Sequence, residues 1–189
     1  MPDLRPLSIP VILGTTRQGR MSARAAQTVL HQLKTYSQVS TELIDIAAIP
    51  LPTNDAGEAI KDRTYAEKVE QADALIIVSP EYNHGYPGLL KHLLDSCLKE
   101  YVHKAAGIVG VSAGAFGGTR MIQDLLPVLR ELGLVTIFWD VNFSNVHNAF
   151  EADGTLRDRA FTRRIDTFIK ELIWMARTLR YGREQIALE

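Results

Sequence analysis

The chain has 189 residues, of which 46% are hydrophobic and 23% charged, and its 21 Lys and Arg against 22 Asp and Glu give a formal net charge of −1. This length fits one domain, and the composition excludes a disordered chain and argues against a dedicated nucleic-acid binder. No apolar run approaches the ~20 residues of a membrane helix, no secretory signal opens the chain, and Cys97, the one cysteine, has no intrachain partner. We therefore expect a single cytoplasmic domain over residues 1–189, without nucleic-acid or membrane partners.

Apolar runs and helical repeats alternate along the chain five times. The runs predict strands over residues 7–13, 38–46, 73–79, 105–112 and 135–139, with Pro10 as the one objection to the first. The repeats predict helices over residues 22–36, with Ser22 as N-cap, and over 61–71, 87–99, 121–132 and 155–181. Such alternation predicts an α/β fold with parallel strands. Five strands favour a flavodoxin-like doubly wound sheet of order 2-1-3-4-5, with helices on both faces.

Three unusual loops follow the first, third and fourth predicted strands, where a doubly wound sheet binds its ligands. The first loop, residues 14–22, combines glycines with Thr15, Thr16, Arg17 and Ser22 before a helix, which suits an anion such as phosphate. Its Gly14-x4-Gly19 spacing lacks the Lys and Ser or Thr of a P-loop, and the loop is not Gly-x-Gly-x-x-Gly. A nucleoside triphosphatase and a standard dinucleotide fold are therefore disfavoured.

The second and third loops have the composition of rigid ligand-holding segments. The second, residues 79–88, carries two prolines and two glycines around Tyr82, Asn83 and Tyr86, and so suits a flat ring. The third, residues 112–120, contains three glycines that let the backbone approach a ligand closely. His31 and His147 lack partners at metal spacing, so we predict no metal site.

Together these segments resemble one known family. Gly14-Thr15-x-Arg17 with Ser22, then Ser79-Pro80-Glu81-Tyr82-Asn83 with Pro87-Gly88, then Ser112-Ala113-Gly114 with Gly117-Gly118 occur in the order seen in the NADPH-dependent FMN reductases, a family of flavodoxin-like flavoproteins. The resemblance spans about residues 8–175. Thr15 stands where serine is usual in that family, and Gly85 replaces a frequent serine.

The resemblance implies a set of cofactor-binding residues and no catalytic side chain or metal ligand. Around the FMN phosphate it places Thr15, Arg17 and Ser22, with Thr16, Gln18, Gly19, Arg20 and Met21 as backbone or secondary contacts. Around the isoalloxazine ring it places Pro80, Glu81, Tyr82 and Asn83, with Ser112, Gly114 and Gly117 beneath its edge.

The resulting hypothesis is an oxidoreductase with non-covalent FMN that takes electrons from NADPH or NADH to a small acceptor: a flavin, a quinone, an azo compound or a metal oxyanion. The alternative is a flavodoxin-type electron carrier, which the net charge of −1 disfavours because such carriers are typically acidic. Surplus leucines in the third and fourth predicted helices, together with the family resemblance, predict a homodimer or homotetramer. We further expect Cys97, Phe138 and Trp139 in the core and the arginines of the last helix in solvent.

Overall fold

The computed structural model describes residues 5–52 and 61–187 and places a parallel sheet between two layers of helices. The strands are β1 Leu7–Ser8, β2 Val11–Leu13, β3 Val39–Ser40, β4 Leu43–Asp45, β5 Ala74–Pro80, β6 Ala105–Val111, β7 Val135–Thr136 and β8 Val141–Phe143. The helices are α1 Ser22–Leu33, α2 Arg63–Gln71, α3 Gly88–Asp95, α4 Thr119–Glu131 and α5 Ala160–Gln185. None of the helices in these two segments is long and apolar enough to cross a bilayer.

The sheet has the predicted order, although three of its five strands are interrupted. The hydrogen-bonded order is β4-β2-β5-β6-β7, with β8 also pairing β6 and β1 pairing β3 beside this path. When β1 and β2, β3 and β4, and β7 and β8 are each treated as one broken strand, the order is 2-1-3-4-5. The first break falls at residues 9–10, because Pro10 has no N–H to donate to a ladder.

The two faces of the sheet bury separate apolar layers. Helices α1 and α5 cover one face of the sheet, and α2, α3 and α4 cover the other. Each apolar layer contains side chains of the strands and of the helices on that face. Along β5, Ile76 and Val78 point into the first layer while Leu75 and Ile77 point into the second. Gly107 on β6 admits the Phe168 ring of α5, since a Cβ there would lie 2.4 Å from that ring.

Several expectations about individual residues need correction. Phe138 and Trp139 are not core residues: they are 81% and 48% exposed, because the fifth strand breaks after Thr136 and its alternation stops there. Arg180 does not lie in solvent, since it is buried and pairs with Asp73 at 3.3 Å. Cys97 is buried as predicted, and burial raises the pKa of its thiol to about 11.

Helix limits also differ from the expected ones. Helix α1 ends at Leu33, α3 ends at Asp95, and α5 begins at Ala160, where Asp158 accepts a hydrogen bond from the Ala160 amide. Ser22 is the first residue of α1 and not its N-cap, which is Met21.

Lys104 fastens the amino end of β6 to helix α2. Its Nζ donates to the carbonyl oxygens of Val69 and Glu70, at 2.5 and 2.6 Å, in the last turn of that helix. Burial, and then the nearby charge of Arg183, lower the pKa of Lys104 to about 8. Asp73, Glu70 and Glu100 oppose that shift.

This shift predicts a pH dependence of stability. Because the folded pKa lies below the ordinary pKa of about 10.4 for lysine, the unfolded chain binds more protons between those values, and the free energy of unfolding rises with pH there. Denaturant titrations between pH 7.5 and 10.5 should show Lys104→Met losing this rise, which for one proton is at most about 1.4 kcal/mol per pH unit. Lys34→Met, at an exposed lysine, should follow the parent. Parallel curves for the parent and Lys104→Met would contradict the assignment.

Candidate flavin site

The loops that follow β2, β5, β6 and β8 meet at the carboxyl edge of the sheet and enclose a cleft of about 240 Å³. Most of the residues predicted to form a site line this cleft: Arg17, Gln18, Gly19, Arg20, Met21, Ser22, Pro80, Glu81, Tyr82 and Ser112. Five predicted residues do not line it: Thr15, Thr16, Asn83, Gly114 and Gly117. The structure thus gathers residues from all three unusual loops around one cleft.

Side chains of the first loop hold it in place by bonds within the loop and to two neighbouring segments. Thr15 is buried, and its Oγ1 lies 3.0 Å from the hydroxyl of Tyr82 in the second loop. Arg20 donates to the Thr15 carbonyl oxygen and pairs with the carboxylate of Asp45 at the end of β4. Thr15 and Arg20 therefore use their side chains to hold the loop in place, and Arg17 remains an exposed cation at the cleft.

Ser22 presents an unpaired hydroxyl where the first loop becomes α1. The residue is 2% exposed and lines the cleft, and its Oγ is buried without a hydrogen-bond partner. A buried hydroxyl without a partner is costly, and the amino end of a helix attracts anions. Ser22 Oγ, the start of α1 and Arg17 therefore form a surface suited to an anionic group.

The second loop turns sharply at Asn83 and His84. Tyr82 and Gly85 exchange backbone hydrogen bonds of 2.8 and 3.0 Å, and the two residues between them have φ of 50° and 74°. Positive φ at both central positions is the pattern of a type I′ turn, which Asn and His tolerate better than most residues. The turn puts Asn83 at an exposed tip, while Pro80, Glu81 and Tyr82 face the cleft.

The third loop is held close to the edge of the sheet by its glycines and backbone bonds. A Cβ at Gly118, whose φ is 85°, would lie 2.7 Å from the Val111 amide nitrogen. The Gly114 carbonyl oxygen accepts from Ser112 Oγ and from the Asn145 amide, both at 2.9 Å. Gly114 and Gly117 therefore shape the loop, and Ser112 is its predicted residue that reaches the cleft.

Sequence reasoning missed part of the lining, namely Val111, Ala113, Val146 and His147. Val146 and His147 follow β8, and the Val146 amide donates to the Ser112 carbonyl oxygen at 3.1 Å. The predicted sheet order could have revealed this loop, because the carboxyl end of the fifth parallel strand must lie beside that of the fourth. The predicted strand ended at residue 139, so this loop was not recognised as one that borders the site.

A larger groove of about 880 Å³ runs along the outer side of α1 between that helix, residues 153–156 and α5. Residues of its lining already bond to each other: Gln32 Nε2 donates to the Thr162 carbonyl oxygen and Thr155 Oγ1 donates to the Asp153 carboxylate, both at 2.8 Å. The smaller cleft is the stronger candidate, because loops from four strands and unpaired polar atoms converge on it. Within residues 5–52 and 61–187, no three His, Cys, Asp or Glu side chains are placed to hold a metal ion together.

This chain resembles known proteins in sequence over most of its length. The sequence profile of the NADPH-dependent FMN reductases matches residues 7–148. An NAD(P)H-dependent FMN reductase of Pseudomonas aeruginosa is 32% identical over 94% of this chain and 98% of its own. A 2-hydroxy-1,4-benzoquinone reductase of a Burkholderia species is 26% identical over 89% of this chain and 96% of its own.

Solved structures give the same fold. A flavoenzyme NAD(P)H:(acceptor) oxidoreductase of Paracoccus denitrificans superimposes with a TM-score of 0.76 at 23% identity, covering 91% of this chain and 98% of its own. The likeness confirms the predicted flavodoxin-like α/β architecture. The family profile spans most of the chain, and the predicted flavin cofactor, NAD(P)H donor and oxidoreductase activity are confirmed: this chain belongs to the NADPH-dependent FMN reductase family.

Proposed function

We propose that the first loop and the start of α1 hold the phosphate of FMN, and that the second and third loops hold its ring. The observation that carries this assignment is the buried, unpartnered Oγ of Ser22, which an oxygen of a phosphate would satisfy. Arg17 supplies a guanidinium at the same end of the cleft. Thr16, Gln18, Gly19 and Met21 add backbone or secondary contacts, while Thr15 and Arg20 keep the loop in shape.

The residues of the other two loops form the walls for the ring in this proposal. Pro80, Glu81 and Tyr82 supply one wall, and Asn83 fixes the turn that carries them. Ser112 lies under the edge of the ring, with Gly114 and Gly117 setting the path of the backbone there. The ring thus lies between loops held at the ends of β5 and β6.

Bound FMN supplies the redox chemistry, since it takes hydride from NAD(P)H and passes the electrons to an acceptor. The residues of this chain bind and orient the ring and anchor its phosphate. No side chain is assigned as a general acid or base, because the redox chemistry belongs to the flavin.

We propose a quinone as the acceptor class, supported by the Burkholderia relative, which is named for reduction of a hydroxylated benzoquinone. We also propose a cytoplasmic setting, supported by a fold whose one cysteine is a buried thiol.

The direct test of the function is turnover. FMN-loaded protein mixed with NADPH without oxygen should lose its absorbance near 450 nm, and added 1,4-benzoquinone should restore it. Turnover with benzoquinone should exceed turnover with free FMN or with a sulfonated azo dye at equal concentration. A flavin that stays oxidised in NADPH and in NADH would contradict the function, while a higher rate with the dye would contradict the acceptor class alone.

Removing the Ser22 hydroxyl should lower the affinity for FMN without lowering the stability of the cofactor-free protein. Ser22→Ala should weaken FMN binding at least about tenfold, since hydrogen bonds to charged groups contribute about 1.5–3 kcal/mol. Riboflavin, which has no phosphate, should bind as it does to the parent. Calorimetry of both ligands checks this expectation.

The cofactor-free Ser22→Ala protein should be as stable as the parent or slightly more so, because the change removes a buried hydroxyl that lacks a partner. Ser37→Ala, at an exposed serine four residues beyond α1, is the matched control. Unchanged FMN affinity together with lower stability would instead assign Ser22 a purely structural role.

We further propose that the chain forms a homodimer, or a tetramer built from it, through α3, α4 and the adjoining loops. Leu89 and Leu98, on α3 and just after it, are 44% and 63% exposed, while Leu126 and Val128 of α4 are only partly buried. Exposed apolar area of this kind is typical of surfaces that associate.

A charge on this surface should therefore break the assembly. Leu89→Glu should shift the mass measured by light scattering at micromolar concentration to that of a monomer and leave the helical circular dichroism unchanged. Ile186→Glu, at an equally apolar exposed residue after α5, should leave the mass unchanged. A monomeric parent protein would contradict the proposed assembly.

A further inference from the structure

Glu81 is a buried carboxylate with one satisfied and one free oxygen. Its side chain is 6% exposed and lies at the cleft, directly after β5. Oε1 accepts from Arg120 Nε at 2.7 Å and contacts Arg120 Nη2 at 2.5 Å. Oε2 is buried and has no hydrogen-bond partner. A buried polar atom without a partner at a binding cleft points to a donor that the ligand itself supplies.

Arg120 joins the two loops that border this end of the cleft. It is the second residue of α4, and besides Glu81 it places Nη1 3.0 Å from His84 Nε2 in the second loop. A guanidinium only donates, so His84 Nε2 is the accepting nitrogen in this contact. The guanidinium carbon also lies 5.0 Å from the centre of the Phe116 ring in the third loop.

These contacts differ from those of an ordinary surface ion pair. Arg120 itself is 45% exposed, and an exposed pair of this kind contributes little to stability. The carboxylate that it pairs with, however, is buried, and a buried charge that loses its partner must take up a proton or move toward water. Either response would change the unpartnered oxygen and the position of the loop that carries it.

We propose that Arg120 is a positioning residue for the flavin ring. It holds the Glu81 carboxylate in place, with Oε2 free to accept a hydrogen bond from an N–H of the isoalloxazine, and it joins the second loop to the third. This inference rests on the proposed flavin site. Arg120 is not among the residues that line the cleft, and it affects binding of the flavin ring, through Glu81, and not binding of the phosphate.

Flavin titrations of the full-length, cofactor-free protein test this role, with binding followed by quenching of flavin fluorescence. Arg120→Met should weaken FMN and riboflavin by the same factor, of tenfold or more, because both ligands carry the ring. Arg17→Ala should show the contrasting pattern, with FMN weakened and riboflavin unchanged. Arg130→Met, an exposed arginine at the other end of α4, is the matched control and should bind both flavins as the parent does.

A second substitution shows whether Arg120 acts through Glu81. Adding Glu81→Gln to Arg120→Met should recover most of the lost riboflavin affinity, since a neutral amide needs no cation and still offers an oxygen to the ring. Arg120→Lys, which keeps the charge but not the fork, should lose less than Arg120→Met and provides a second measure if the methionine variant folds poorly.

The outcomes separate this inference from the function on which it rests. Equal riboflavin affinities in the parent and both Arg120 variants would reduce Arg120 to a surface ion pair and overturn the inference alone. A loss that Glu81→Gln does not recover would overturn the route through Glu81. A parent protein that binds neither flavin would overturn the proposed function and this inference with it.

Discussion

The continuous ladder between β5 and β6 sets the position of every part of the candidate site. All seven residues of β5 pair in register with all seven of β6, from Ala74 with Ala105 to Pro80 with Val111, and the Glu81 amide extends the ladder by donating to the Val111 carbonyl oxygen at 2.9 Å. Nearly every residue of both strands is buried, so a slip by one residue would exchange the two apolar layers. This register brings the loop with Glu81 beside the loop with Ser112, and the shorter strands on either side add the loops with Arg17 and His147.

The outer strands of the sheet are interrupted, although the central β5–β6 ladder is continuous. The strands that bear the first loop and the β8 loop are interrupted at residues 9–10 and 137–140, yet their terminal pieces, β2 and β8, pair with β5 and β6 close to the cleft. The breaks lie further from the site and leave its geometry to these terminal pieces. The cost of the second break is visible at the edge of the sheet, where Phe138 and Trp139 are exposed and contact each other edge to face at a 5.1 Å separation of ring centres.

The sequence was informative where one physical requirement dominates a segment. Central strands must be apolar on both faces, so residues 73–79 and 105–112 were recognised almost to the residue. The loops were recognised from glycines, prolines and hydroxyls that a turn or an anion requires. The failure at Arg180 has the opposite cause: this residue depends on a tertiary partner, and no local pattern shows that an arginine late in α5 meets Asp73 before β5. Which predicted residues face the cleft was likewise beyond local reasoning, since Thr15 and Asn83 have suitable chemistry but lie behind it or at an exposed tip.

The buried polar side-chain atoms that lack hydrogen-bond partners are concentrated in the candidate site. Across the described residues, the buried side-chain oxygens and nitrogens without a partner are Ser22 Oγ and Glu81 Oε2, and both belong to residues of the same cleft. One is a hydroxyl donor at the amino end of a helix, and the other is a carboxylate acceptor held by an arginine, so the cleft favours a ligand that carries both an acceptor and a donor. A molecule with an anion at one end and an N–H on a flat ring at the other satisfies both. Thr15 and Arg120 each tie two segments together beside the cleft, through Tyr82 and through Glu81, and so they hold its loops in place before any ligand binds.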